Sequence, residues 1–152
     1  MSVAVTGAAL SLTASPAAAE VPANAGNWVL ANYSTEDGVA RCLDDSVIAL
    51  RAIGCNDLNY QIWETGRFAD GTYEFLNHQT GKCLDDSPNL HLRTERCNGG
   101  WGGYQRWRSV RTNELMNVAT GLCLDYSNQN NLRTFNCNGG WGGFQDWYWV
   151  KG

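Results

Sequence analysis

Three aspartates recur at one register of this chain: Asp44, Asp85 and Asp125 each stand two residues after a cysteine. Two of them have an acidic neighbour, in Asp44-Asp45 and Asp85-Asp86. Paired carboxylates are the equipment of glycosidic acid–base chemistry, but the two groups must flank one bond. Neighbours along a strand point to opposite faces, so these pairs cannot do so. No Gly-x-Ser-x-Gly nucleophile elbow is present, no Cys-x-x-Cys pair offers a metal site, and His78 and His91 are the only histidines. The residue types therefore predict a non-catalytic protein without metal or cofactor. What they supply is recognition chemistry: carboxylate acceptors, guanidinium donors and many flat rings, with 7 Trp, 6 Tyr and 4 Phe.

These residues belong to a unit written three times. Arg41-Cys42-Leu43-Asp44-Asp45-Ser46 recurs as Lys82-Cys83-Leu84-Asp85-Asp86-Ser87 and as Leu122-Cys123-Leu124-Asp125-Tyr126-Ser127. Each copy is followed by a Leu-Arg pair ending in Arg51, Arg93 or Arg133, then by a second cysteine with Asn behind it, at Cys55, Cys97 and Cys137. Each closes on Gln-x-Trp, at Gln61-Ile62-Trp63, Gln105-Arg106-Trp107 and Gln145-Asp146-Trp147. The repeats run over about 28–68, 69–110 and 111–152 and leave no room for a second domain.

The elements that must position these groups are short strands. Trp28-Val29-Leu30 and Tyr73-Glu74-Phe75-Leu76 read as strands, Asp70-Gly71 is a hairpin turn signal, and no window keeps a helical period over three turns. The fold class is all-β. Three copies of one unit narrow it to a barrel with three-fold pseudosymmetry, since three blades are too few for a propeller. Ahead of the first strand, Met1–Ala19 carries no charge and ends in small residues, which reads as a secretory signal peptide or, alternatively, an Ala-rich tail. Residues 20–27 read as a short flexible arm able to dock on a partner. Export would place the six cysteines in an oxidising compartment, so the localisation expected is secreted.

Three repeats with Cys-Leu-Asp, a second Cys and Gln-x-Trp resemble the ricin-B-type lectin family, and among its members the small secreted trefoil proteins of actinobacteria. The resemblance covers residues 28–152 and implies a β-trefoil. Six cysteines allow fifteen pairings in principle; the recurring separations select Cys42–Cys55, Cys83–Cys97 and Cys123–Cys137. Each closes a loop of about fifteen residues, worth roughly 3 kcal/mol in the chain-entropy account.

The resemblance also implies where a sugar would sit. The Asp after the first Cys accepts from sugar hydroxyls, an aromatic ring two residues before the second Cys stacks on the pyranose, and a polar residue, usually Asn, just before the Gln of Gln-x-Trp adds hydrogen bonds, where this chain has Tyr60, Tyr104 and Phe144. Carried onto this chain, the acceptors are Asp44, Asp85 and Asp125, and the platform positions hold Ile53, Glu95 and Phe135. Only repeat 3 has a ring, so its candidate site is Asp125, Phe135, Asn138 and Gln145, helped by Trp141; Asp44, Asp85 and Trp101 mark weaker candidates. Where sugar-binding members often carry Gln, this chain has Arg51, Arg93 and Arg133. That register predicts partly buried pairs Asp44–Arg51, Asp85–Arg93 and Asp125–Arg133, which would occupy the acceptors. Repeats 2 and 3 carry Gly-Gly-Trp-Gly-Gly loops around Trp101 and Trp141, whose rings either fold back over the barrel or project as platforms.

Two functions stay open: a secreted carbohydrate-binding module, or a protein-binding adaptor subunit of a toxin-type assembly, or an inhibitor, that has lost sugar recognition. The partner is a glycan or a secreted protein. Nucleic acid is a poor fit, because 11 Lys+Arg against 15 Asp+Glu leave no basic stripe. No apolar stretch is long enough to span a membrane as a helix.

Overall fold

A computed structural model describes residues 23–34, 36–111 and 113–152. The signal-peptide reading of Met1–Ala19 falls outside the described residues. Twelve strands follow in chain order, four to a repeat. The first repeat holds β1 (Ala23–Asn32), β2 (Arg41–Asp45), β3 (Leu50–Gly54) and β4 (Trp63–Arg67). The second holds β5 (Tyr73–Asn77), β6 (Cys83–Asp85), β7 (Arg93–Glu95) and β8 (Trp107–Val110). The third holds β9 (Glu114–Asn117), β10 (Leu122–Ser127), β11 (Asn131–Asn136) and β12 (Trp147–Lys151).

Within each repeat the first and fourth strands belong to a barrel, and the middle two form a hairpin over one of its ends. Antiparallel pairing runs β12–β1–β4–β5–β8–β9. The Trp147 N–H donates to Asn113 O at 3.0 Å and joins β12 to the chain just before β9. The hairpins β2–β3, β6–β7 and β10–β11 hang from β1, β5 and β9. This is the β-trefoil.

One inward residue set, repeated three times, fills the core: Leu30, Phe75 and Leu115 from the first strands, Leu43, Leu84 and Leu124 from the hairpins, and Trp63, Trp107 and Trp147 from the fourth strands. All nine are fully buried. Each indole N–H finds a buried acceptor, donating to Leu43 O, Leu84 O and Leu124 O at 2.9, 3.0 and 2.9 Å, so large rings enter the core without an unpaired polar atom.

The Asn ending each first strand binds the repeats in a ring. Its Oδ1 closes a local turn, accepting from Ser34 N–H, from Gln79 and Thr80 N–H, or from Ala119 and Thr120 N–H. Its Nδ2 reaches the previous repeat: Asn77 donates to Tyr60 O at 2.7 Å, Asn117 to Tyr104 O at 2.7 Å, and Asn32 to Phe144 O at 3.0 Å.

The flexible arm expected over residues 20–27 requires correction from Ala23 onward. Ala23 to Asn27 continue β1 and pair with Glu64–Arg67 of β4, with a register shift between Asn24 and Gly26. The β4 edge would otherwise present unpaired backbone groups, and five added residues satisfy it.

Candidate functional site

The three cysteine pairs are Cys42–Cys55, Cys83–Cys97 and Cys123–Cys137. Each ties the start of a hairpin to the loop that leaves it, beside the Asp two residues on. Glu74 lies against Cys83 and Cys97, but the disulfide consumes both sulfurs as metal ligands.

Every one of the three aspartates is buried and met by the arginine across its hairpin. Asp44, Asp85 and Asp125 stand directly opposite Arg51, Arg93 and Arg133 in strand register. Arg Nε donates to Asp Oδ1 at 2.9, 3.2 and 3.0 Å. In repeats 2 and 3 the other carboxylate oxygen is also engaged, accepting from Gln105 Nε2 at 3.2 Å and from Gln145 Nε2 at 3.1 Å. Asp125 is 2% exposed, so a ligand hydroxyl reaching it would have to displace groups already packed there.

Gln145 does not lie on a ligand surface. It is fully buried; its Oε1 accepts Asn138 N–H at 2.9 Å and its Nε2 donates to Asn136 O at 3.0 Å as well as to Asp125. Gln61 and Gln105 repeat the arrangement with Asn56 and Asn98. The Gln of Gln-x-Trp is therefore the clamp that folds the loop after the second cysteine.

The remaining candidates of repeat 3 converge. Asp125, Arg133, Phe135, Asn138, Trp141 and Phe144 line one open cleft of about 330 Å³, with Glu36, Ser127, Gln129 and Asn130 completing it. Phe135 is 47% exposed, and the Arg133 guanidinium lies over its ring with Cζ 4.1 Å from the centroid. Trp141 is 75% exposed, with its ring 6.2 Å from that of Phe144. Asn138 is turned toward its own loop, its Nδ2 donating to Trp141 O at 3.3 Å and its Oδ1 accepting Gly140 N–H at 3.0 Å.

Both tryptophan loops project rather than fold back, Trp101 being 68% exposed. Their glycines explain the shape. Gly99, Gly100, Gly102 and Gly103, and likewise Gly139, Gly140, Gly142 and Gly143, all have positive φ, which turns the chain sharply around one outward ring. The loop of repeat 3 is pinned from below by Glu114, whose Oε1 accepts Gly139 and Gly140 N–H at 2.8 and 3.2 Å.

Glu36 was not legible as a cleft residue. It reaches the cleft from repeat 1, its Oε2 accepting Asn128 N–H at 2.6 Å, and no local motif announces a contact across so long a stretch of chain. Its neighbour Asp37 is held below the ordinary carboxylate range, chiefly by the Val39 N–H and further by Arg41, and so stays ionised. A second cleft, of about 340 Å³, lies in repeat 1 among Val29, Ala31, Ile62, Val150 and the Cys42–Cys55 bridge. Here Val29 stands where repeats 2 and 3 carry Glu74 and Glu114, and the loop of this repeat is two residues shorter. Its walls are largely aliphatic, with Tyr33, Asp57 and Lys151 also lining it.

A sequence model of the ricin-type beta-trefoil lectin domain matches residues 71–152, more than half of the chain. Comparison with curated proteins finds no match. Among solved structures, the designed three-fold symmetric protein ThreeFoil is similar at 21% identity and a TM-score of 0.68, over 83% of this chain and 99% of that one. A lectin of Polyporus squamosus is similar at 15% identity and a TM-score of 0.69, over 87% of this chain and 50% of that one. The cytolethal distending toxin of Haemophilus ducreyi is similar at 17% identity and a TM-score of 0.65, over 81% of each chain. At these identities the likeness is one of fold.

Proposed function

We propose a function from one premise: the chain belongs to the family of ricin-type β-trefoil lectin domains. It is a carbohydrate-binding module without catalytic chemistry of its own, and its binding site is the cleft of repeat 3. The observation that carries this reading is the convergence there of two exposed rings, Phe135 and Trp141, with the guanidinium of Arg133. A pyranose has an apolar face and a polar rim, and such a cleft offers a surface for each. Secretion is supported by the three disulfides, which persist in oxidising compartments, and by the small-residue end of the first nineteen residues. Among the described residues no helix is long and apolar enough to cross a membrane.

One observation favours a second reading, a protein-binding adaptor. In all three repeats the family's acceptor carboxylate is occupied by an arginine of this chain. Exposed tryptophans such as Trp101 and Trp141 also serve as anchors at protein interfaces.

A glycan array followed by calorimetric titration separates the two. On the first reading, glycans bind, Trp141→Ala and Phe135→Ala each weaken binding by about tenfold, near 1.4 kcal/mol, and Trp101→Ala leaves it unchanged. A blank array, together with a secreted protein captured at one-to-one stoichiometry through Trp141, would replace the lectin with the adaptor.

A further inference from the structure

The three Asp–Arg pairs are alike at their inner ends and differ at their outer ones. Nε of each arginine is spent on the buried aspartate. Two residues further along stands Ile53, Glu95 or Phe135, each opposite the first cysteine of its repeat. In repeat 2, Glu95 Oε2 lies 4.0 Å from Arg93 Nη2, so the outer edge of that guanidinium faces a carboxylate supplied by the protein itself. In repeat 3 the same position holds Phe135, whose ring slides beneath the guanidinium. Nη1 and Nη2 of Arg133 have no hydrogen-bond or ion-pair partner among the described residues, and the side chain is one-third exposed on the cleft. Repeat 1 leaves Arg51 exposed too, but Ile53 gives it no flat wall.

A guanidinium edge matches a planar carboxylate through two parallel N–H···O bonds. We infer that the repeat 3 cleft selects a carboxylate-bearing sugar of the uronic-acid type, with the outer edge of Arg133 reading the carboxylate and Phe135 and Trp141 taking the apolar face of the ring. The Glu95 carboxylate of repeat 2 is the internal counterpart of that ligand group and keeps repeat 2 closed. This rests on the glycan reading of the cleft given above. Asp125 serves to hold Arg133 in place. Glu36 is the opposing charge on the cleft and lowers the affinity for an acid.

The test titrates the full chain with a uronic-acid oligosaccharide and with its neutral, carboxyl-reduced counterpart of the same linkage. The acid should bind at least about tenfold more tightly, with a preference that shrinks as salt is raised. Arg133→Lys keeps a cation against Asp125 but removes the fork, and should erase most of that preference by weakening the acid far more than the neutral sugar. Glu36→Gln should strengthen binding of the acid alone, by about threefold, the size of a partly screened like charge. Glu95→Phe should open repeat 2 and raise the stoichiometry for the acid from about one per chain toward two.

Equal binding of acid and neutral sugars, both lost in Trp141→Ala, would overturn the inference and leave the glycan reading standing. Binding of neither would overturn both. A Glu95→Phe chain that melts like the wild type yet gains no second site would overturn the role given to Glu95.

Discussion

Gln145 shows how one residue type serves two roles that look identical in a sequence. Its place beside the third-repeat site invites a reading as a sugar ligand, and the amide chemistry would suit that role. In the fold, its oxygen and nitrogen are spent on Asn138 N–H, Asn136 O and Asp125. A side-chain amide that clamps a backbone and one that faces a ligand differ only in orientation, and orientation is set by the loop, not by local spacing. The Asp–Arg pairs were legible because strand register puts the two residues directly opposite each other, and register can be counted. Gln145→Ala therefore tests structure. It strands a buried N–H, a carbonyl and one oxygen of a buried carboxylate, and should cost about 2–3 kcal/mol in urea unfolding. A loss of sugar binding with no change in unfolding midpoint would return Gln145 to the ligand surface.

At the scale of elements, the strands and turns follow from composition, whereas the tryptophan loops do not. Asp70-Gly71 reads as a turn for a reason found in the fold: Gly71 takes φ +84°, its N–H donates to Phe68 O at 3.0 Å, and Asp70 Oδ1 accepts Thr72 N–H at 3.0 Å. Four glycines around a tryptophan, by contrast, permit many conformations, so the sequence leaves the ring's direction open. Two contacts within the loop decide it. A Cβ on Gly142 would sit 2.5 Å from the Phe144 ring, and one on Gly102 would sit 2.7 Å from the Tyr104 ring. The chain after each tryptophan is thus pressed against its own aromatic neighbour, and Trp101 and Trp141 are turned outward. Gly142→Ala and Gly121→Ala make a controlled pair, because their φ values are +72° and +68° but Gly121 has nothing within 4 Å of its Cβ position. Gly121→Ala should cost only the left-handed backbone penalty of about 1–2 kcal/mol. Gly142→Ala should cost about 1–3 kcal/mol more through overpacking, and should also change the fluorescence of Trp141. Equal losses from the two would show that the loop yields to the extra methyl and that the ring contact does not orient it.

Across the whole molecule, the three-fold ring is closed by chemistry that is not itself three-fold. At the first junction Asp45 of repeat 1 accepts from Thr80 and Thr94 hydroxyls of repeat 2; at the second, Asp86 of repeat 2 accepts from Thr120 Oγ1 at 2.7 Å and from the Thr134 hydroxyl of repeat 3. At the third junction Tyr126 stands where the aspartate should be, Ala52 stands where Thr94 and Thr134 stand, and the phenol meets the Arg41 guanidinium instead. Two junctions therefore bury a carboxyl and one does not, and burial of Asp86 at the second junction gives the fold a pH dependence. Burial raises the pKa of Asp86 above the ordinary carboxylate value, against the weaker pull of the Thr120 and Thr134 hydroxyls. Burial likewise raises that of Glu74, with Arg106 opposing. In the window above the ordinary carboxylate value the folded chain then holds more protons at these sites than the unfolded chain does. Their contribution to stability is full below about pH 4 and is lost as pH rises through the folded value. Asp86→Asn removes the titration while its amide can still pair with both threonine hydroxyls. Urea unfolding of the two chains from about pH 4 to 7 should show the wild type losing stability relative to Asp86→Asn as pH rises. A difference between wild type and Asp86→Asn that stays constant across the range would mean that Asp86 is already ionised in the fold, with the two hydroxyls outweighing its burial.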